Sequence, residues 1–153
     1  MKRIIQVIFF LSISCYSYSQ MVMSAAGVTA DNVCTPNAVY FLTGLRNESR
    51  ARPVESMDII QQRLNETISF ARNNPSFEGS PAIQFAVNCR GEIGGGFHIV
   101  TNSGSDELDK ELMDFFKTVK EWNAGRINRR RTVDSWYMWR LEIKDGNITI
   151  LNR

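Results

Sequence analysis

The sequence is poor in the residue types that most often carry catalysis or bind metal. It contains one histidine, His98, and three cysteines. Nothing near His98 in the sequence supplies an orienting partner for a base, and no serine occupies the glycine-flanked turn of hydrolase nucleophiles. A single histidine and widely separated cysteines do not make a metal-ligand set. The sequence therefore predicts a protein that is not an enzyme and that holds neither a metal nor a cofactor.

A strong charge of one sign and long apolar runs are also absent. The 18 basic and 16 acidic residues give a formal net charge of +2, and removal of Lys2 and Arg3 with a leader would bring it to about 0 (+2 minus 2). Because such a chain offers no overall basic footprint for phosphates, nucleic acid is not an expected partner. The longest apolar run is much shorter than the ~20 residues that cross a bilayer as a helix.

The N-terminal residues have the pattern of a secretory signal peptide. A positive start is followed by an apolar run over Ile4–Ile13, and Ser17 and Ser19 put small residues at the −3 and −1 positions. We therefore expect cleavage before Gln20 and export. Two alternatives stay open: retention of the run as a membrane anchor, and lipidation at Cys15.

Two cysteines, Cys34 and Cys89, remain after such processing. In an oxidising compartment an even pair predicts one disulfide, and two free thiols are the alternative. The bond would attach the N-terminal segment to the first strand of the predicted sheet. The chain then divides into a signal peptide (1–19), an N-terminal segment of unknown fold (20–55) and a domain (56–153).

Apolar periodicity predicts the elements of this domain. A helix over 56–72 has Ser56 as its N-cap, and a second begins after Ser105 and continues to about Lys120. Strands are predicted over Ala82–Asn88, Phe97–Asn102 and Val133–Ile143, the first of them half-buried. The turn Lys144–Asn147 can return Ile148–Leu151 as a short fourth strand. The result is an α+β fold of order α-β-β-α-β, with a three-stranded antiparallel sheet and that optional fourth strand packed against two helices.

The segments between these elements carry three further expectations. Gly94–Gly96 precede a strand rather than a helix, so they favour a β-bulge over a phosphate cradle. Residues 46–53 are polar and predict an exposed connector. Four arginines follow the second helix in a predicted loop. This loop is either a solvated turn or a basic rim for an acidic peptide or membrane surface. The four are Arg126, Arg129, Arg130 and Arg131.

The order of motifs over residues 82–143 resembles the C-terminal domain of TonB, the periplasmic energy transducer of Gram-negative bacteria. An apolar strand and glycine turn are followed by Ser-Gly, an acidic helix start, Trp-x-x-Gly and a long closing strand. Asn74-Pro75 is similar to the family's proline after the preceding helix. The matching residues are Phe85, Val87, Asn88, Gly91, Ile93, Ser103, Gly104, Leu108, Asp109, Glu111, Trp122, Gly125 and Val133.

The resemblance implies a periplasmic binding module. Domains of this family capture an extended segment of an outer-membrane TonB-dependent transporter by strand addition at the last strand. We expect Tyr137 and Trp139 to belong to the core, whereas core and peptide contact are both open for Trp136 and Met138. Carried onto this sequence, the candidate peptide-binding edge comprises Val133, Asp134, Trp136, Met138, Arg140 and Glu142.

Two other functions compete with this one. With residues 4–14 retained as an anchor, the chain would be a complete energy transducer, although its four prolines form no spacer of the kind such transducers carry. Exposed sheet edges can also pair with each other, so a self-associating structural module, a homodimer without a peptide partner, is the third hypothesis.

Overall fold

The structure is a computed structural model that describes residues 30–35, 38–44 and 47–151. The predicted signal peptide, its cleavage site and Cys15 lie outside the described residues. None of the helices in the described residues has the length and hydrophobicity that a membrane span requires.

The described residues form an α+β fold with three helices and several antiparallel sheets. The main sheet has four strands in the order β3-β2-β7-β8, and two small sheets pair β1 with β4 and β5 with β6. In chain order the elements are β1 (Arg52–Pro53), α1 (Met57–Thr67), α2 (Ser69–Asn73), β2 (Ala82–Val87), β3 (Ile93–Thr101), α3 (Asp106–Phe116), β4 (Trp122–Asn123), β5 (Gly125–Ile127), β6 (Arg131–Val133), β7 (Ser135–Lys144) and β8 (Asn147–Ile150).

The predicted helix starts are confirmed, because the hydroxyls of Ser56 and Ser105 accept from the backbone N–H groups of the third helical residues, at 3.4 Å in both helices. The first helix is split, however, at Ile68, whose ψ of 113° is extended. Glu111 of α3 bonds to the hydroxyl of Ser69 and to the next backbone N–H, and so caps the separate helix α2. A tertiary contact thus divides a segment whose apolar period is continuous.

The core lies between the helices and one face of the sheet. Helices α1 and α3 bury apolar stripes, which include Ile60 and Leu64 of α1 and Leu108 and Leu112 of α3, against alternate residues of β2, β7 and β8. The expectation that the first strand is half-buried is wrong, because every residue of β2 is buried. On the face away from the helices, Trp136 lies beside His98 with ring centroids 6.3 Å apart, and Phe41 stacks on the same tryptophan at 6.2 Å. Across the sheet Trp136 pairs with Ala86 and His98 pairs with Gln84, and both partners in β2 are buried.

The three glycines produce the expected bulges. The register of β3 against β2 shifts at three places, two of them next to Ala86, which pairs with Gly95. Gly95 and Gly96 have φ angles of +88° and +67°, a region that side chains with a Cβ rarely adopt. The bulged strand therefore depends on glycine at these positions.

The fourth strand is confirmed. Asp145 and Gly146 have φ angles of 51° and 75°, as a two-residue hairpin turn requires, and β8 pairs with residues Leu141–Lys144 of β7. The sheet therefore has four strands instead of three.

Two segments predicted to be loops contain strands. In the connector 46–53, Ala51 is buried, and Arg52–Pro53 pair with Trp122–Asn123. The arginine-rich segment forms the hairpin of β5 and β6. Pairing with a distant segment makes the connector a strand, whereas the arginine-rich segment pairs within its own hairpin and is joined to Ser49 by a bridge at Arg126.

Helix α1 closes the outer flank of β8. The amide of Asn65 accepts from the N–H of Ile148 at 2.8 Å and donates to its C=O at 3.0 Å. Gln61 accepts from the N–H of Ile150 at 2.8 Å and also donates to the C=O of Ile148. Two side-chain amides thus take the place that a further strand would occupy along this edge.

We expect Asn65→Ala to lower the free energy of unfolding by about 1–3 kcal/mol, because it leaves the backbone N–H of the buried residue Ile148 without a partner. Urea denaturation measures the change. The matched control is Gln62→Ala, since Gln62 is exposed on the same helix and bonds to Glu66 instead. We expect the control to change stability by less than about 0.5 kcal/mol; equal stabilities of the two variants would contradict the capping role.

Candidate functional site

The strand that the resemblance assigns to peptide binding is internal. On one flank, residues Ser135–Arg140 of β7 pair with β2. On the other flank, Leu141–Lys144 pair with β8. On that flank too, the backbone N–H of Tyr40 donates to the C=O of Asp134 at 2.8 Å, and its C=O accepts from the N–H of Trp136 at 2.9 Å. The prediction that Val133–Glu142 form an edge of the sheet is therefore wrong, because the fourth strand and the segment at Tyr40 occupy that side.

The side chains predicted to flank the peptide are placed in different environments. Val133 packs in a small second cluster with Leu42 and Ile127, and Trp136 is only 9% exposed. Arg140 and Glu142 are exposed and Met138 is half-buried. Trp139 is fully buried and Tyr137 packs against the main core, as predicted. The remaining candidate, Asp134, has a structural role.

Asp134 holds the disulfide-linked end of the chain. The predicted bond between Cys34 and Cys89 is present. The buried carboxylate of Asp134 accepts from the backbone N–H groups of both cysteines at 2.9 Å and from that of Thr35 at 2.8 Å. Since three donors converge on one carboxylate, the charge of Asp134 is compensated without a cation.

The segment 30–35, which we call the strap, lies against the glycine end of β3. Asn32 donates its backbone N–H to the C=O of Gly94 at 3.1 Å and accepts from the side chain of Asn88 at 3.1 Å. A Cβ on Gly95 would stand 3.1 Å from the backbone nitrogen of Asp31, so a larger residue there would press on the strap. Hydrogen bonds thus hold the strap against this end of β3.

The disulfide region also contains a group of ligand-type atoms. The Sγ atoms of Cys34 and Cys89 and a carboxylate oxygen of Asp134 lie within 4.8 Å of one another. The two sulfurs are bonded to each other, and the carboxylate already accepts three hydrogen bonds. In this oxidised state the group does not fit a metal ion, because metal-binding sulfur is a free thiolate.

The other end of the sheet leaves a strand edge open. Strand β3 is the terminal strand, and across the described residues no strand or side chain bonds to the outer backbone groups of Phe97–Thr101. Val100 on this stretch is 48% exposed. An edge of this kind can pair with another extended chain.

A concave surface adjoins this edge. We call it the edge groove; it has a volume of about 450 Å³ and is lined by Glu92, Ile93, Phe97, Lys117 and Lys120. Phe97 forms its apolar floor and stacks on the core residue Phe85 at 4.5 Å. The groove therefore combines an apolar floor fixed by the core with cationic side chains from the end of α3.

The charges around the groove differ in how far they are already paired. Hydrogen bonds from Asn88 and Arg90 hold the pKa of Glu92 below its usual range, so this carboxylate is ionised and engaged at neutral pH. Lys117 lies 3.7 Å from Asp114, but that carboxylate bonds more closely to Lys110, at 2.8 Å.

Lys120 is exposed, and within the described part of the chain its ammonium group makes neither an ion pair nor a hydrogen bond. Lys117 and Lys120 are therefore the charged groups of the groove that can pair with an incoming carboxylate.

The basic cluster lies on the β5–β6 hairpin, apart from the main sheet. Its four arginines are exposed, and none forms an ion pair with an acidic side chain of the described residues. The hairpin is attached through backbone bonds between Arg126 and Ser49 and between Arg129 and Asn47. These observations fit both predicted roles, a solvated turn and a rim.

Sequence reasoning missed the groove because its members come from separate elements with ordinary local roles. Lys117 and Lys120 suit the end of a helix, where cations interact favourably with the dipole, and Phe97 suits a half-buried strand. Gln61 and Asn65 were also missed, although their spacing of four residues puts both on one side of a helix. That pairing of amides was the only local signal of an edge cap.

Comparison with known proteins gives no match: no family model, no curated protein and no solved structure is significantly similar to this chain. The resemblance to TonB C-terminal domains therefore stays a prediction from the residues.

We expect the double substitution Cys34→Ala with Cys89→Ala to lower the free energy of unfolding by about 3–4 kcal/mol, because the chain between the cysteines is no longer closed into a loop. Hydrogen exchange should accelerate at the amides of Asn32 and Thr35. Treatment of the unaltered protein with a dithiol reductant is the control and should give the same exchange pattern. Unchanged protection of Thr35 would contradict attachment of the strap through the disulfide.

We expect Asp134→Asn to destabilise the protein by about 1–3 kcal/mol, because the new amide group turns a donor toward one of the three N–H groups that now meet a carboxylate. Denaturant midpoints measure this. Asp145→Asn removes the same charge from an exposed turn whose positive φ asparagine tolerates, and should be close to neutral. Equal midpoints for the two variants would show that Asp134 does not hold the strap.

Proposed function

We propose that this chain is a non-catalytic, TonB-like periplasmic module that binds an extended peptide by strand addition. The partner is an extended segment of an outer-membrane TonB-dependent transporter, and the module assists transport as an adaptor. The single observation that carries the proposal is the open outer flank of β3 over Phe97–Thr101, beside the edge groove. An incoming strand would satisfy the unpaired backbone groups there.

The asymmetry of the sheet supports this position. The flank of β8 is closed by Gln61 and Asn65, and the glycine end of β3 is in contact with the strap. Both devices restrict edge pairing, so the remaining stretch of β3 is the accessible one. A peptide would use a different strand from the one that the resemblance implies, because β7 already has partners on both flanks.

Other observations are consistent with an exported binding module. The disulfide fits an oxidising compartment. The order of two principal helices and the first three main strands matches the arrangement expected for a TonB-like domain. A second copy of the chain is an alternative occupant of the same edge, since Val100 and the open backbone of β3 could pair with their own counterparts.

The test is a titration of the isotope-labelled protein with synthetic peptides that span the N-terminal plug segments of TonB-dependent transporters, followed by amide NMR shifts. We expect the largest changes at the amides of Phe97–Thr101. The amides of Ile148 and Ile150 serve as an internal control, because α1 already bonds them and they should change little.

Two results would count against the proposal. The absence of shifts at millimolar peptide would exclude peptide binding by this domain. Sedimentation that gives a dimer whose contact protects Phe97–Thr101 from hydrogen exchange, and that peptide does not dissociate, would favour the self-associating module.

A further inference from the structure

We infer that the edge groove selects the peptide by its side chains: an apolar residue enters the groove over Phe97, and an acidic residue two positions away pairs with Lys117 or Lys120. This inference rests on the proposed function, because it requires a strand beside β3. It assigns the partner a chemistry, that of an extended acidic-apolar segment.

The alternation of side chains in a strand directs every second peptide residue into the groove. Phe97 is on the helix-facing side of β3, since its ring stacks on Phe85 of the core. A residue of an added strand opposite Phe97 would have its Cβ about 4.5–5.5 Å away on that same side. Its side chain would therefore enter the space between Phe97 and the end of α3.

The bulges of β3 make such an anchor necessary. Register shifts interrupt the strand on both sides of the His98–Ile99 pairing with β2, and bulges locally disrupt and twist a ladder. An added strand therefore gains few regular backbone hydrogen bonds. Side-chain contacts in the groove must supply most of the affinity and the choice of register.

The charges of the groove favour a carboxylate. Glu92 is engaged by Asn88 at 2.9 Å and by Arg90 at 3.0 Å, whereas Lys117 has only a long contact with Asp114 and Lys120 has none with the described acidic residues. An incoming carboxylate would thus meet available cations next to an apolar floor. A basic residue at that position would be repelled by the same ammonium groups.

The experiment uses three acetylated and amidated heptapeptides. The first, Thr-Glu-Thr-Leu-Thr-Glu-Thr, places leucine and both glutamates on one face, so that either strand direction brings an acid beside the leucine. The second has glutamine and the third lysine in place of both glutamates. Affinity is measured by NMR titration at low and at high salt.

We expect the glutamine peptide to bind about threefold to tenfold more weakly than the glutamate peptide at low salt, and the lysine peptide more weakly still, as partly exposed ion pairs predict. Salt should reduce the difference. In the double variant Lys117→Glu with Lys120→Glu, the order of the glutamate and lysine peptides should be reversed. Lys144→Glu is the control, because this exposed lysine is the last residue of β7, before the β7–β8 turn, and it should keep the original order.

The outcomes separate the two proposals. Equal affinity for all three peptides, with shifts at Phe97–Thr101, would overturn the acidic selectivity and leave strand addition standing. A fourth peptide has threonine in place of the leucine: loss of its binding would support the apolar anchor, and unchanged binding would overturn it. Absence of shifts at β3 with every peptide would overturn both proposals.

Discussion

Strand β8 ends the main sheet on one side, and its outer backbone groups bond to the amides of Gln61 and Asn65. These bonds determine which edge of the main sheet stays open to a further strand. Because an amide has a donor and an acceptor, two side chains on successive helical turns can replace a neighbouring strand. The sheet is thereby closed where α1 passes and keeps an edge at β3. The bonds of Gln61 and Asn65 to β8 also hold α1 over the core, where Ile60 and Leu64 are fully buried.

Asp134 joins separate segments of the chain at the opposite end of β7. Its carboxylate joins the strap and the residues after β2 to the start of β7 through three backbone N–H groups, and the disulfide links the strap covalently to the residues after β2. This junction lies beside the glycine bulges, which the strap contacts. The position that the resemblance assigned to a peptide contact is thus a structural anchor.

The proposed binding site lies where backbone groups of a strand remain available. In the described parts of the chain, the groove beside β3 is the place where an open strand edge, an apolar floor and available cations meet. Each feature alone is common on protein surfaces. Their coincidence on one edge distinguishes this site from the exposed arginines of the β5–β6 hairpin, which lack an adjacent open strand of the main sheet.

The sequence by itself determined the elements whose signals are local. Ser56 and Ser105 start helices because their hydroxyls cap N–H groups a few residues away, and Asp145-Gly146 form a hairpin because their backbone angles suit that turn. Gly94–Gly96 predicted the bulges because glycine accepts the positive φ angles found at Gly95 and Gly96. The expectation that Trp139 belongs to the core is also confirmed.

Only the tertiary structure decided which strand lies at the edge, which face is covered and which charges are available. The break at Ile68 depends on Glu111, the covering of β2 on its second face depends on Trp136 and Phe41, and the closure of β8 depends on α1. Each joins residues far apart in the chain. These contacts stabilise the fold by pairing backbone groups and burying side chains of segments that are distant in sequence. The local periodicity of apolar residues contains no information about such contacts. The candidate site is of this second kind, because an open edge is defined by the strands that do not reach it.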